Sequence, residues 1–307
     1  MWAIETDGLT KIFRSLGRKP LVAVQDLNLR VPIGSVFGFL GPNGAGKTTT
    51  LNLLLGNLRP TRGKGRIFGY PIGNPEVRRL VGYLPEKFQF HDFLTAEEFL
   101  DFHARLLSLP SSVRRRRVDA VLEFVGLQGR RRSKVREFSR GMLQRLGIAQ
   151  ALLNEPKLVI LDEPTSALDP LGRWEVRNLI LRLKEQGVTV FLNSHLLSEV
   201  EMTCDAVAIL NKGRLVFQGR LDELLSEPLE LDIRFQNPSP SWRDIAAQWG
   251  TVVSVNGDAL TVRVGREDAI PDLIAALVNN GARLMSVVPK RFSLEDLFVQ
   301  VIRDEPR

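Results

Sequence analysis

A glycine-rich loop behind a short apolar strand constrains this chain more than any other stretch. The loop reads Gly41-Pro42-Asn43-Gly44-Ala45-Gly46-Lys47-Thr48-Thr49, follows the apolar run 36–40, and has the form G-x-x-x-x-G-K-[ST]. Its glycines let the backbone pass close to a phosphate, so that successive N–H groups and a helix N-terminus point at negative charge. Lys47 would reach the β- and γ-phosphates, and the Thr48 hydroxyl would ligate Mg²⁺. The pattern therefore predicts a nucleoside triphosphate site at a strand-to-helix turn.

Composition limits the remaining possibilities. The 307 residues are 44% apolar, which is ordinary for a globular protein with a sizeable core. The apolar runs are far shorter than the roughly 20 residues that a membrane-spanning helix needs. The first residues have no basic start and no apolar stretch of a signal peptide, so we expect a cytosolic chain. Cys204 is the only cysteine, which excludes a disulfide within one chain.

The chain is basic, with a net charge of +7 and a pI near 9.8. Much of the excess lies in two runs, residues 114–117 and 130–134. Such runs are most often solvated faces. A patch that faces anionic lipid and a surface that binds nucleic acid are the two alternatives that the sequence leaves open.

The order of predicted elements up to residue 220 alternates strands with helices, which indicates a βαβ nucleotide-binding layer of the α/β class. Alternating strands at 2–12 and 23–31 predict an antiparallel edge sheet, and the continuous apolar run 157–161 predicts a strand buried on both faces. The other predicted elements are a helix at 48–56, a polar break at 59–65, strands at 66–68 and 80–84, a mostly helical region from there to about 153, a helix at 171–185 and a strand at 188–193. Within the helical region, the segment 95–107 carries Phe99, Phe102 and Leu106 at helical spacing.

Phe13 follows the first alternating run and has two interpretations. It is either a core residue or an aromatic platform on which a nucleotide base stacks.

Four phrases beyond the phosphate loop (residues 41–49) narrow the class of protein. They are Phe138-Ser139-Arg140-Gly141-Met142-Leu143-Gln144-Arg145, the run 158–164 ending in Asp162-Glu163-Pro164, Ser166-Ala167-Leu168-Asp169, and Asn193-Ser194-His195. Together with the loop they resemble the ATP-binding cassette (ABC) family, and specifically its stand-alone nucleotide-binding subunits. The resemblance covers about residues 3–220.

This resemblance implies roles for several residues. Asp162 would hold Mg²⁺ through its hydration shell, while Glu163 would orient and deprotonate the attacking water. His195 resembles the switch histidine, whose imidazole could hydrogen-bond a γ-phosphate, and Asp169 would lie along a dimer seam without a catalytic role. Glu86 stands where most members carry glutamine, and its carboxylate can still reach Mg²⁺ or the water.

The phrase at 138–145 resembles the ABC signature, which in that family caps a nucleotide held by a second subunit. Ser139 before a helix can serve as an N-cap and offer its hydroxyl and neighbouring N–H groups to an anion. Ser139 and Gly141 would therefore touch the γ-phosphate across a dimer interface. The phrase differs from the commonest signature at Arg140, where glycine is usual, and at Met142, where glutamine is usual.

Residues 221–307 lie outside the cassette and predict a small α+β domain. Their elements read as strand (229–235), helix (242–249), strand (252–256), strand (259–264), helix (269–279), strand (283–288) and a last helix with a capping box that starts at Ser293. This is the ferredoxin-like order. The closing phrase 292–298 resembles the tail of multidrug, antibiotic and lipid exporter ATPases of the ABC-2 type.

The expected fold is thus an α/β P-loop cassette at 1–220, with a mixed sheet core, an antiparallel β subdomain and a helical subdomain at about 87–155. The expected function is ATP binding and hydrolysis around two MgATP in a homodimer, or in a dimer with a paired ABC subunit, coupled to export through a separate membrane permease. The chain would then be peripheral on the inner face of the cell membrane, with no nucleic-acid partner. The alternative is a soluble ABC ATPase that acts on ribosomes or nucleic acid; a P-loop kinase or GTPase does not explain residues 139–145.

Overall fold

The computed structural model describes residues 1–14, 19–224, 229–290 and 293–303. The chain divides into two compact units, Met1–Leu221 and Asp222–Arg307. Within the described residues, no helix is both long enough and apolar enough to cross a bilayer. The tail phrase at 292–298 starts at Phe292, which lies outside the described residues.

The first unit contains two sheets and a group of helices. Its strands are β1 (Trp2–Phe13), β2 (Leu21–Leu27), β3 (Arg30–Pro32), β4 (Val36–Leu40), β5 (Arg62–Ile67), β6 (Tyr70–Pro71), β7 (Val81–Leu84), β8 (Leu158–Asp162), β9 (Thr189–Asn193), β10 (Ala206–Asn211) and β11 (Arg214–Arg220). Its helices are α1 (Lys47–Leu54), α2 (Pro75–Leu80), α3 (Ala96–Leu106), α4 (Ser111–Phe124), α5 (Arg140–Ala151), α6 (Pro170–Glu185) and α7 (Leu197–Thr203), and a short α8 (Leu221–Leu224) follows β11.

The central sheet has the strand order β11-β10-β4-β9-β8-β7. Every neighbouring pair is parallel except β10–β11, which is antiparallel. Every residue of β4, β8, β9 and β10 is buried, which explains why these strands read as continuous apolar runs. Phe191 in β9 packs against Phe37 and Phe39 in β4, with ring centroids 5.8 Å and 5.3 Å apart. The mixed sheet predicted from the sequence is confirmed.

The antiparallel sheet follows the path β2-β1-β5-β6, with β3 also paired to β1. The single strand predicted at 23–31 was wrong, because Asp26 takes a positive φ of 50° and β2 ends at Leu27, with two residues between it and the start of β3. The polar break predicted at 59–65 was also too long, since β5 begins at Arg62. Residues 62–64 of β5 are exposed and the strand pairs with β1 along its length, so backbone hydrogen bonds rather than an apolar pattern form this part of the strand.

The helical part of this unit contains α3, α4 and α5. Thr95 caps α3 in a capping box, because its Oγ1 accepts from the Glu98 N–H and the Glu98 carboxylate accepts from the Thr95 N–H. The apolar spacing in α3 does not mark one buried face, however. Phe99 is buried, whereas Phe102 and Leu106 are 40% and 66% exposed. The helix predicted in the segment 95–107 is confirmed as α3, although its apolar spacing does not identify the residues that are buried.

The two arginine runs are partly used inside this unit. Arg114 pairs with Asp101 at 3.0 Å and Arg117 pairs with Glu155 at 2.8 Å. Arg131 pairs with both Glu97 and Asp119. The guanidinium of Arg131 lowers the pKa of Glu97. These ion pairs link α3, α4 and the segments that follow α4 and α5. Only part of each basic run therefore remains to form a solvated face.

The second unit contains one four-stranded antiparallel sheet. Its elements are β12 (Leu229–Phe235), α9 (Ser241–Ala246), β13 (Thr251–Asn256), β14 (Ala259–Val264), α10 (Ile270–Asn279), β15 (Leu284–Lys290) and α11 (Leu294–Arg303). The sheet order is β13-β14-β12-β15, and the element order before α11 is the predicted strand–helix–strand, strand–helix–strand. Buried residues of β12 and β14 pack on α9 and α10, with Phe235 stacked on Trp242 at 4.3 Å. Ser293 caps α11 with Asp296, as predicted.

Candidate functional site

The phosphate loop connects β4 to α1 and depends on glycine at two positions. At Gly41, an added Cβ would lie 2.2 Å from the carbonyl oxygen of Leu210, too close for any side chain. Gly46 is the N-cap of α1 with a φ of 104°, and an added Cβ there would lie 2.3 Å from the carbonyl oxygen of Ala23. The loop therefore lies directly against its neighbouring strands, and the N-terminus of α1 opens at its end. That arrangement suits capture of an anion.

Lys47 is held inside the loop. Its Nζ donates to the carbonyl oxygens of Gly41 at 2.5 Å and Pro42 at 3.2 Å. Burial lowers the pKa of Lys47, while the carboxylates of Glu163 and Asp162 act in the opposite direction. The ammonium is therefore positioned between the loop carbonyls and two acidic groups.

Two polar side chains meet where β8 and β9 end. Asp162 and Asn193 are register partners in this parallel pair, so their side chains emerge side by side at the carboxyl edge of the sheet. The Nδ2 of Asn193 donates to the Oδ1 of Asp162 at 2.5 Å. Burial raises the pKa of Asp162, and the hydrogen bond from Asn193 opposes that shift. Asp162 is thus a buried carboxylate whose orientation is set by its neighbour on β9.

Glu163 has an unusual backbone conformation. Its φ of 52° lies in the left-handed region, where a residue with a side chain costs about 1–3 kcal/mol. Its N–H donates to the carbonyl oxygen of Asn193 at 2.8 Å, and its Oε2 lies 2.7 Å from the Nδ1 of His195. Burial raises the pKa of Glu163, and the facing imidazole lowers it. These contacts hold the carboxylate in a fixed direction despite the strained backbone.

A pocket of about 300 Å³ opens over the phosphate loop. Its lining combines the loop, the acidic strand ends and a small apolar rim: Phe13, Leu21, Val22, Ala23, Asn43, Gly44, Ala45, Gly46, Lys47, Thr48, Thr49, Glu86, Asp162, Glu163 and Asn193. Phe13 is 39% exposed and forms part of this rim with Leu21 and Val22, so it is not a core residue. One end of the pocket is therefore apolar and the other is rich in N–H groups and charge.

Glu86 lies next to the end of β8. The negative charge of Glu86 raises the pKa of Asp162, while its backbone amide acts in the opposite direction. The nearby Tyr83 in β7 is partly buried, and burial together with the charges of Asp162 and Glu86 raises the pKa of Tyr83 to about 12. The oxygens of Asp162, Glu86 and Thr48 form a hard donor set of the kind that suits Mg²⁺.

Ser139 and Gly141 lie elsewhere. Among the residues that the structure describes, neither lines the pocket that holds Lys47. Ser139 is exposed and caps α5, its Oγ accepting from the Met142 N–H at 3.3 Å. An added Cβ at Gly141 would meet no atom closer than 4.0 Å, so packing within the chain does not require glycine there. Asp169 caps α6 through the Gly172 N–H at 2.8 Å.

Sequence reasoning missed several residues of this pocket. Leu21 and Val22 were not predicted as site residues because they precede the strand predicted at 23–31. Ala23 lies next to the phosphate loop only because of the tertiary fold, which no local pattern indicates. Asn193 was noted as the start of a phrase but given no role. A polar residue directly after the apolar run Val190-Phe191-Leu192, at the end of a strand that pairs with the one ending in Asp162, was the signal that could have identified it.

The sequence matches known proteins over most of its length. The family model described as ABC transporter matches residues 24–166. An uncharacterized ABC transporter ATP-binding protein of Nostoc sp. is 42% identical over 307 residues, which cover 98% of this chain and 90% of the relative. A bacitracin transport ATP-binding protein of Bacillus licheniformis is 38% identical and 97% covered on both sides. A Nod factor export ATP-binding protein of Cupriavidus pinatubonensis is 36% identical, with 93% of this chain and 88% of the relative covered.

The fold also matches solved structures. One is a dimeric ATP-binding cassette in a post-hydrolysis state, bound to ADP and Pi. It superposes with a TM-score of 0.64 at 26% identity and covers 71% of this chain and 98% of its own.

Proposed function

This chain belongs to the ABC transporter family, and we propose that its phosphate pocket binds MgATP in a head-to-tail dimer that drives export through a separate membrane permease. As a member of that family it is an ATP-binding and ATP-hydrolysing transporter subunit. What is proposed is the role of each residue, the metal, the shared site and the partner. A relative named for Nod factor export supports the direction of transport.

The observation that carries the shared site is the position of Gly141. Glycine in the first turn of a helix costs up to about 1 kcal/mol relative to alanine, and no atom among the described residues lies close enough to Gly141 to require it. Ser139 beside it is exposed at the N-terminus of α5, a place that attracts anions. A phosphate brought by a second copy would explain both features. Each copy would then hold one ATP in its loop and cover the ATP of its partner.

Within one chain, the loop N–H groups of residues 41–49 and Lys47 would bind the phosphates, with Phe13 under the base. Glu163 would accept a proton from the attacking water, because its carboxylate points into the pocket and its pKa is raised toward the working range of a base. His195 would hold Glu163 and reach the γ-phosphate.

Mg²⁺ fits the oxygens that the pocket presents. Thr48, Asp162 and Glu86 would hold it, directly or through its waters, and it would neutralise charge on the phosphates. Asp162 would keep the orientation that Asn193 gives it, and the Lys47 ammonium would share the neutralisation of the phosphate charge.

A nucleotide shared between two chains would couple ATP hydrolysis to closing and opening of the dimer. ATP that contacts both copies favours the closed dimer, and loss of the γ-phosphate removes that preference. A permease bound near Glu86 and the helical part of the first unit would transmit closure across the membrane. The chain would then lie peripherally on the inner face of the membrane.

A cysteine cross-link tests the shared site. Asn43 is exposed in the phosphate loop and Ser139 is exposed at α5, while the native Cys204 is buried. We expect the double variant Asn43→Cys, Ser139→Cys to form a disulfide between two chains under mild oxidation when a non-hydrolysable ATP analogue and Mg²⁺ are present. The matched control is Asn43→Cys with Gly129→Cys, because Gly129 is exposed and has open space around it. Absence of a nucleotide-dependent dimer on a non-reducing gel would contradict the shared site.

A further inference from the structure

Asn193 occupies a central place in the pocket. It ends β9 between two register partners, Phe39 in the strand that leads into the phosphate loop and Asp162 in the strand on the other side. Its side chain is only 2% exposed, and it lines the pocket. Its Nδ2 donates to Asp162 and its carbonyl oxygen accepts from the Glu163 N–H. Asn193 therefore contacts Asp162 and Glu163, two of the three acidic residues that the proposed function uses.

The other end of the same amide has no partner. Within the part of the chain that the structure describes, the Oδ1 of Asn193 is buried and accepts no hydrogen bond. The donation from Nδ2 to Asp162 identifies which atom of the amide is the oxygen, because a carboxylate accepts and does not donate when ionised. Buried polar atoms normally find a partner, so this oxygen calls for a donor or a cation that enters with a ligand.

The chemistry of an amide oxygen restricts what that ligand group can be. The oxygens of a triphosphate are acceptors and cannot satisfy another acceptor. Mg²⁺ binds amide oxygens, and because it dehydrates reluctantly it also brings water molecules that can donate hydrogen bonds. The orphan oxygen therefore fits the metal or its water shell and does not fit the phosphates themselves.

We propose that Asn193 is a positioning residue of the metal site, a role that rests on the proposed binding of MgATP. Its Nδ2 orients Asp162, and its Oδ1 accepts from the hydrated metal. Residues that orient metal ligands typically contribute about 10–100-fold to metal affinity. Loss of the amide should weaken metal binding and leave metal-free nucleotide binding intact.

Mn²⁺ is a suitable probe, because its binding in the presence of a non-hydrolysable ATP analogue is measured directly by electron paramagnetic resonance. We expect Asn193→Ala and the volume-conserving Asn193→Leu to weaken Mn²⁺ binding about 10–100-fold. Both should bind a fluorescent ATP analogue in EDTA as tightly as the wild type does. Asn211→Ala is the matched control, because Asn211 is also buried and ends β10 of the same sheet without lining the pocket.

Asn193→Asp restores an acceptor oxygen at this position. It also adds a carboxyl group beside Asp162, and both the oxygen and its negative charge favour a cation, so we expect its Mn²⁺ affinity to exceed that of Asn193→Ala. Equal affinities in these two variants would overturn the role of Oδ1. Wild-type Mn²⁺ affinity in both Asn193→Ala and Asn193→Leu would overturn the whole inference while leaving the proposed function in place. Failure of the wild type itself to bind Mn²⁺ with the nucleotide would overturn both.

Discussion

The Nδ1 of His195 lies 2.7 Å from the Oε2 of Glu163, and the Glu163 carboxylate is 11% exposed while the imidazole is 54% exposed. The Glu163 side chain is therefore mostly buried and fixed in orientation, whereas the His195 imidazole is accessible to an incoming ligand. The same carboxylate comes from a residue in the left-handed backbone region. Strain of this kind is found where a side chain must keep one direction.

Glu163→Gln should abolish turnover and preserve ATP binding. The amide keeps the shape of the side chain and can still contact His195, but it cannot take a proton from water. A positioned general base contributes about 10²–10⁴-fold to a rate, and we expect phosphate release to fall by that factor. Size-exclusion chromatography with MgATP should show the variant accumulating as a dimer.

Glu123→Gln is a suitable control for that experiment, because Glu123 is an exposed glutamate at the end of α4 and does not line the pocket. Its hydrolysis rate should match that of the wild type. Undiminished hydrolysis by Glu163→Gln would remove this residue from the role of base.

Tyr83 should make the protein less stable in alkaline solution. The neutral phenol is favoured in the folded chain, since burial and two nearby carboxylates raise its pKa to about 12, whereas an unfolded tyrosine has a pKa of about 10. Between these values the unfolded chain binds fewer protons than the folded one, so the free energy of unfolding falls as pH rises from about 10 to about 12.

Tyr83→Phe removes this titration, and its stability should fall less steeply with pH in the same window. Denaturant unfolding of both proteins at several alkaline pH values measures the difference in slope. Tyr70→Phe, at an exposed tyrosine, controls for the loss of a hydroxyl. Identical slopes for wild type and Tyr83→Phe would contradict the prediction.

The sequence predicted the cassette well where a short motif fixes the backbone. The apolar run before Gly41 and the one before Asp162 are buried on both faces of a parallel sheet, and such strands need no alternation to be recognised. The parallel arrangement then brings Lys47, Asp162 and Glu163 around one pocket, although they are far apart in the chain. The roles of these residues are still predictions that the experiments above test.

The features of the fold and site that were not predicted depend on tertiary packing, which a local sequence pattern does not specify. Phe102 and Leu106 have the spacing of a buried helical face, yet they are exposed, since spacing does not tell which side of α3 meets its neighbours. The strand predicted at 66–68 omitted the first four residues of β5, because arginine, glycine and lysine have no strand pattern of their own and take this conformation only by pairing with β1. Asn193 acquires its meaning only from the register that places it beside Asp162.

Phe13 should contribute to nucleotide affinity through its ring. It lies on the apolar rim of the pocket, 39% exposed, with the Nζ of Lys11 5.2 Å from its ring centroid. Stacking of a base on an aromatic side chain is worth about 1–3 kcal/mol, so Phe13→Ala should weaken ATP binding roughly 5–150-fold. Phe13→Tyr keeps a flat ring and should bind nearly as well as the wild type. Phe93→Ala, at an exposed phenylalanine outside the pocket, should leave affinity unchanged. Titration with a fluorescent ATP analogue measures all three, and equal affinity of Phe13→Ala and wild type would show that the base lies elsewhere.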